Sequence, residues 1–150
     1  MKEIYLETIL LIERLHRRFL DVVKSELDRL KIEDINNVQT LILYNIGDDQ
    51  LTVGELTNRG YYLGTNVSYN VKHLVESGYL IQEKAPHDKR STRVRLSEKG
   101  MDLVKKMEAL IERNVAELAK RSPGLAFLTD TNKSMHQLER FWTDYMSRLY

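Results

Sequence analysis

A chain of 150 residues is long enough for one domain with a real hydrophobic core. With 42% hydrophobic and 30% charged residues, 7 Gly, 2 Pro and no Cys, it excludes a disordered chain, a loop-rich all-β fold, disulfides, thiolate metal sites and cysteine redox sensing. The formal net charge of +1 names no partner, but residues 51–100 carry eight Lys/Arg against five Asp/Glu, a basic centre between flanks that lean acidic.

Residues from about Glu3 to Leu30 place Leu6, Ile9, Leu10, Leu15, Phe19, Val22, Val23, Leu27 and Leu30 at three- and four-residue steps, which predicts one long amphipathic helix. Glu3, Glu7, Glu13 and Arg14 interrupt its apolar run, so neither a signal peptide nor a membrane span is expected there, and a cytoplasmic setting is. A second helix is expected over Asn37–Ile46, capped by Asn36 and ended at Gly47. Leu51-Thr52-Val53 reads as extended. Thr52 then caps a short helix from Val53 to Asn58 or Arg59, with Glu55 placed as in a capping box. Gly60 ends it, Tyr61–Gly64 forms a tight turn, and a further helix runs from Gly64 or Thr65 to Ser77, with Val67, Val71, Leu74 and Val75 inward.

The period then changes to two. Tyr79–Ala85 and Thr92–Leu96 read as the strands of a hairpin around a charged loop, Pro86–Ser91. Ser97 caps a helix over about Glu98–Lys120, Ser122-Pro123-Gly124 breaks it, and a last helix covers about Asn132–Leu149. The whole is a mainly α protein with a small β-hairpin.

Helix, tight turn, helix and hairpin in this order form a winged helix-turn-helix, in which the second helix of the pair enters the DNA major groove and the wing reaches the flanking backbone or minor groove. With the Val67–Leu74 stripe inward, the outward face carries Asn66, Tyr69, Lys72 and His73, with Ser68 and Asn70 at the margins. Asn pairs with adenine, hydroxyls bond bases or phosphates, and Tyr meets a thymine methyl or a phosphate. Thr65 and the free N–H groups beside it suit a phosphate. At the hairpin tip Lys89 and Arg90 are adjacent cations, with Asp88 two residues before Arg90 to orient its guanidinium; an Arg suits a narrow minor groove.

The runs Leu80-Ile81-Gln82-Glu83-Lys84, Asp88-Lys89-Arg90-Ser91 and Val94-Arg95-Leu96-Ser97-Glu98-Lys99-Gly100 resemble the wing signature of the MarR family of regulators, and Leu51-Thr52-Val53-Gly54-Glu55-Leu56 resembles the start of that family's first DNA-binding helix. The resemblance implies a single domain over residues 1–150, with a winged helix-turn-helix at about 36–100 and helical dimerisation parts at about 1–35 and 101–150. It implies a homodimeric transcription regulator on a pseudo-palindromic double-stranded DNA, often responsive to a small phenolic or lipophilic ligand. Arg90 matches the family's wing-tip Arg and Asp88 its partner. Ser68 and Tyr69 stand where the family commonly has Ser or Thr followed by Arg, so Tyr69 is a departure, as is the Tyr61–Thr65 turn.

The wide apolar arc of the last helix, with Leu138, Phe141, Trp142, Tyr145 and Leu149, independently points to a dimer interface, to which Leu6 and Ile9 of the first helix are assigned as well. An effector pocket is expected at the junction of the first, second and fifth helices, lined by His16, Phe19 and Tyr44. The four His are scattered and no nucleophile motif, phosphate loop or carboxylate pair stands out, so no metal, cofactor or enzymatic activity is expected. The competing function is a protein-interaction module that uses the winged helix or the arms without DNA.

Overall fold

A computed structural model describes residues 1–60, 64–85 and 87–149, the side chains of Gly64, Thr65 and Lys89 excepted. In chain order the described elements are α1 (Lys2–Arg29), α2 (Asn37–Ile46), β1 (Leu51–Thr52), α3 (Val53–Gly60), α4 (Gly64–Glu76), β2 (Leu80–Ala85), β3 (Asp88–Leu96), α5 (Glu98–Ala119) and α6 (Phe127–Ser147). They fall into two compact units, residues 1–108 and 109–150. The expected turn at Tyr61, Tyr62 and Leu63 and the loop residue Pro86 lie outside the described residues.

Local chemistry sets most boundaries of the first unit. The Asn36 side chain accepts from the Gln39 N–H at 2.8 Å and the Gln39 side chain accepts from the Asn36 N–H at 3.0 Å, so two otherwise orphaned donors of α2 are satisfied reciprocally. Thr52 Oγ1 accepts from the Glu55 N–H at 3.1 Å and starts α3. Gly78, at φ +85°, closes α4: its N–H reaches the Val75 carbonyl at 3.1 Å and the Tyr79 N–H reaches that of Leu74 at 2.9 Å, a Schellman ending. The core of this unit draws Ile42, Leu43 and Ile46 from α2, Leu56 from α3, Val67 and Leu74 from α4, and Val94 from the sheet.

Three expectations need correction. The sheet has three strands, in the order β1-β3-β2, because Leu51 and Thr52 pair antiparallel with Val94 and Arg93. The second strand begins at Asp88 rather than Thr92. Lys84 is opposite Thr92 but Ala85 is opposite Asp88, so Lys89, Arg90 and Ser91 form a bulge on β3 rather than an open loop. On β3 the alternation of apolar residues ends at Val94, since residues 88–93 are all polar, so pairing there leaves no hydropathy signal. Finally, α6 begins at Phe127, not Asn132. Asp130 lies in its first turn, where a carboxylate complements the helix dipole, and the Thr131 hydroxyl donates to the Phe127 carbonyl at 2.9 Å.

The ends of the chain bury little. Among residues 1–22 none is buried, and Leu6, Leu10 and Leu15 are exposed. In the second unit α6 buries none of its residues; Leu138 and Trp142 are half-buried, while Phe141, Tyr145 and Leu149 are exposed. No helix among the described residues is long and apolar enough to cross a membrane.

Candidate nucleic-acid interface

Helix α4 is held from behind by Val67, Val71 and Leu74, all buried. That phase turns Asn66, Ser68, Tyr69 and Lys72 outward, each exposed. The margins differ from expectation. Asn70 is half-buried and its Oδ1 accepts from the Gln39 Nε2 at 3.1 Å. His73 is also half-buried, and its Nε2 lies 2.8 Å from the carbonyl oxygen of Asp34, an acceptor only, so Nε2 carries the proton. Ser68 thus takes the outward place expected of His73. Thr65 lies in the first turn of α4 and Lys89 in the bulge of β3; their side chains are outside the described set.

Asp34, in the connection between α1 and α2, anchors the far end of α4. Its Oδ1 accepts from the Tyr79 hydroxyl at 2.8 Å and its Oδ2 from the Lys99 ammonium at 3.0 Å. The same ammonium donates to the Ser77 carbonyl at 2.9 Å and sits 4.3 Å from the centroid of the Tyr79 ring. Partial burial would raise the Asp34 pKa, but the hydrogen bonds from Lys99 and Tyr79, with the Lys99 charge, hold it below the usual carboxylate range. Burial, and then the bond to Asp34, push the Tyr79 phenol above its ordinary range. One carboxylate therefore joins the α1–α2 connection, the end of the candidate reading helix, the root of the wing and the start of α5. Sequence separations of 45 and 65 residues put these pairings beyond any local motif.

On the wing, the Asp88 carboxylate accepts from the backbone N–H of Arg90 at 2.9 Å. It shapes the bulge that carries Arg90, and is not bonded to the guanidinium as expected. The structure also sorts the cations of this region. Arg59 pairs with Asp49 at 2.7 Å, Arg95 with Glu83 at 3.0 Å and Lys99 with Asp34 at 3.0 Å. Lys72, Lys84 and Arg90 are exposed and, among the described residues, have no carboxylate partner. Lys84 was missing from the sequence-derived set; its exposure next to the β3 bulge brings it in.

His16, Phe19 and Tyr44 are all exposed, on α1 and α2. A cleft of about 420 Å³ beside α1 is lined by Arg14, Arg17, Arg18, Leu20, Asp21 and Asn37, and a second of about 330 Å³ includes Leu27, Ile32 and Ile35; the three expected effector residues line neither. No cluster of His and carboxylates suited to a metal ion occurs among the described residues.

Residues 35–100 match the family model described as a winged helix DNA-binding domain. Over 138 residues the chain is 36% identical to the exopolysaccharide II synthesis transcriptional activator ExpG of Rhizobium meliloti (strain 1021), covering 92% of this chain and 71% of that one. Among solved structures, Streptococcus pneumoniae FabT in complex with DNA superposes with a TM-score of 0.76 at 15% identity, over 94% of this chain and 99% of that one. Staphylococcus aureus MarR in complex with salicylate and kanamycin gives 0.76 at 22% identity, over 95% and 94%. At these identities the structural likeness is one of fold.

Proposed function

The chain belongs to the MarR family of winged helix-turn-helix transcriptional regulators, a family of DNA-binding proteins, and from that premise we propose that it works in the cytoplasm as a homodimer on a pseudo-palindromic operator, modulated by a small lipophilic or phenolic ligand. Two copies of α4 would enter successive major grooves about 34 Å apart, with a wing flanking each. Asn66, Ser68 and Tyr69 would face base edges. Lys72, Lys84 and Arg90 would meet phosphates or the minor groove, with Thr65 and Lys89 beside them and Asp88 holding the bulge. Asn70 and His73 would act from behind, by keeping α4 seated on Gln39 and Asp34.

The observation that carries this reading is the sorting of charge. Three cations, Arg59, Arg95 and Lys99, are paired with carboxylates of the chain itself, whereas Lys72 on α4 and Lys84 and Arg90 on the wing are exposed with no such partner among the described residues. A surface of this kind gains affinity from counterion release when it meets a phosphate backbone. Dimerisation would cover the apolar residues left open in each unit, Leu6 and Ile9 in the first and Leu138, Phe141, Trp142, Tyr145 and Leu149 in the second. His16, Phe19 and Tyr44, exposed on α1 and α2, would be the residues that meet the ligand, although they line neither cleft described above.

The test is retardation and footprinting of the DNA upstream of the protein's own gene. Parent protein should give a two-fold symmetric footprint and an affinity that falls steeply with salt. Arg90→Ala should weaken binding to all sequences alike and make the salt dependence shallower. Absence of retardation at moderate salt, or parental binding by Arg90→Ala, Lys84→Ala and Lys72→Ala together, would overturn the DNA-reading assignment in favour of a protein-interaction module.

A further inference from the structure

Among the described side chains of α4, not every polar one is free to read DNA. Asn70 is committed to Gln39 and His73 to the Asp34 carbonyl. What faces outward among the described side chains is an amide (Asn66), a hydroxyl (Ser68), a phenol (Tyr69), an ammonium (Lys72) and, at the C-terminal end away from where a groove is entered, the carboxylate of Glu76, which phosphates would repel. Helix α4 contains no Arg, the side chain whose fork bonds guanine O6 and N7 together. Lys72 is the ninth residue of the helix, whereas base edges are met mainly by the N-terminal turns of a recognition helix, so its charge falls toward the backbone.

Asn66 and Tyr69 are one turn apart on the same face, and Tyr69 is 71% exposed. An aromatic ring held out in water on a rigid helix is costly to leave uncovered, and in the major groove the one apolar group on any base pair is the thymine C5-methyl. The amide of Asn matches adenine N6 and N7. Resting on the DNA-reading function proposed above, we infer that Asn66 and Tyr69 are the specificity determinants of this protein. They select adjacent A·T pairs at the centre of each operator half-site, Asn66 by the adenine edge and Tyr69 by ring contact with a thymine methyl.

The experiment is selection of binding sites from a randomised duplex library with the full-length protein, followed by replacement of each selected thymine by uracil, which removes only the methyl. Half-sites centred on A·T pairs are expected. One uracil replacement should weaken parental binding about fourfold, the contribution of one buried methyl-sized group. Tyr69→Phe should keep that discrimination, because it keeps the ring, and Tyr69→Ala should lose it. Tyr69 is exposed, so neither variant threatens the fold. A selected motif centred on G·C pairs, or an equal uracil penalty in parent and Tyr69→Ala, overturns the inference and leaves the DNA-reading function standing. Enrichment of no motif at all overturns both.

Discussion

Adding a single methyl group at Gly100 should have the opposite effect to adding one at Gly54. Both glycines lie near the start of a helix, Gly54 in α3 and Gly100 in α5. In each case Ala has the better helix propensity, by up to about 1 kcal/mol. The surroundings decide the sign. A Cβ at Gly54 would meet only the Thr52 Oγ1, at 3.9 Å, an ordinary contact. A Cβ at Gly100 would lie 2.3 Å from the Tyr79 carbonyl oxygen, 3.3 Å from its carbon and 3.4 Å from Leu96 Cδ2. That carbonyl cannot move aside freely. It accepts from the Ser97 N–H at 3.0 Å, and the Tyr79 side chain is fixed through its hydroxyl to Asp34. Relief requires α5 to shift off β2, with overpacking strain of about 1–3 kcal/mol and weakening of a hydrogen bond contributing about 1 kcal/mol.

Against the propensity gain, Gly100→Ala should destabilise the protein by about 1–3 kcal/mol, and Gly54→Ala should be neutral or stabilising by up to about 1 kcal/mol. For a chain of this size each kcal/mol moves the melting temperature by about 2–4 °C. Urea and thermal denaturation followed by circular dichroism, at one fixed protein concentration, measure both variants. A Gly100→Ala protein as stable as the parent would refute the claim that contact between α5 and the Tyr79 backbone sets this residue.

Asp34→Asn should flatten the acid limb of the stability curve. The folded-state pKa of Asp34 is depressed, so its contribution is present above the unfolded value and is lost as pH falls through the folded one, below about pH 4. Urea unfolding of parent and variant between neutral and acid pH checks this, and parallel curves would contradict it. Asn36→Ala removes an acceptor from the α2 capping box and should cost about 1 kcal/mol in the same assay. Tyr145→Glu, on an exposed apolar position of α6, should shift the protein from dimer to monomer in sedimentation at micromolar concentration; an unchanged dimer would remove α6 from the interface.

The helices were legible because their burial is periodic. The apolar spacing of Val67, Val71 and Leu74 sets the phase of α4, and Asn36 and Thr52 mark helix starts by chemistry that works within three residues. The margins of α4 were not legible, because they depend on what stands behind the helix. His73 turns inward where the Asp34 carbonyl accepts its hydrogen bond, and Asn70 where Gln39 donates to it. The bulge of β3 left no trace for a related reason. The outer half of β3 is polar throughout and carries no alternation, so its pairing shows in hydrogen bonds rather than in hydropathy. Asp88 bonds the backbone N–H of Arg90 and not, as expected, its guanidinium, a bond that follows from the two-residue spacing rather than from opposite charge.

Charge shows the same division between what composition records and what folding decides. The eight cations of residues 51–100 look equivalent in the sequence. Folding gives Arg59, Arg95 and Lys99 carboxylate partners, and with them the task of fastening loop to helix, strand to strand and the α1–α2 connection to the start of α5. Among the described residues Lys72, Lys84 and Arg90 receive none, nor does the half-buried Arg93; the Lys89 side chain lies outside the described residues. Removing a cation of the first group should therefore lower stability slightly, and less so at high salt, because these pairs are exposed. Removing one of the second should leave stability unchanged and alter only the salt-dependent part of DNA affinity, because exposed charges contribute little to stability but each phosphate contact releases counterions. Net charge is blind to this partition. A winged helix with a total charge near neutrality can present a basic face, provided its acids are engaged in holding the other cations in place.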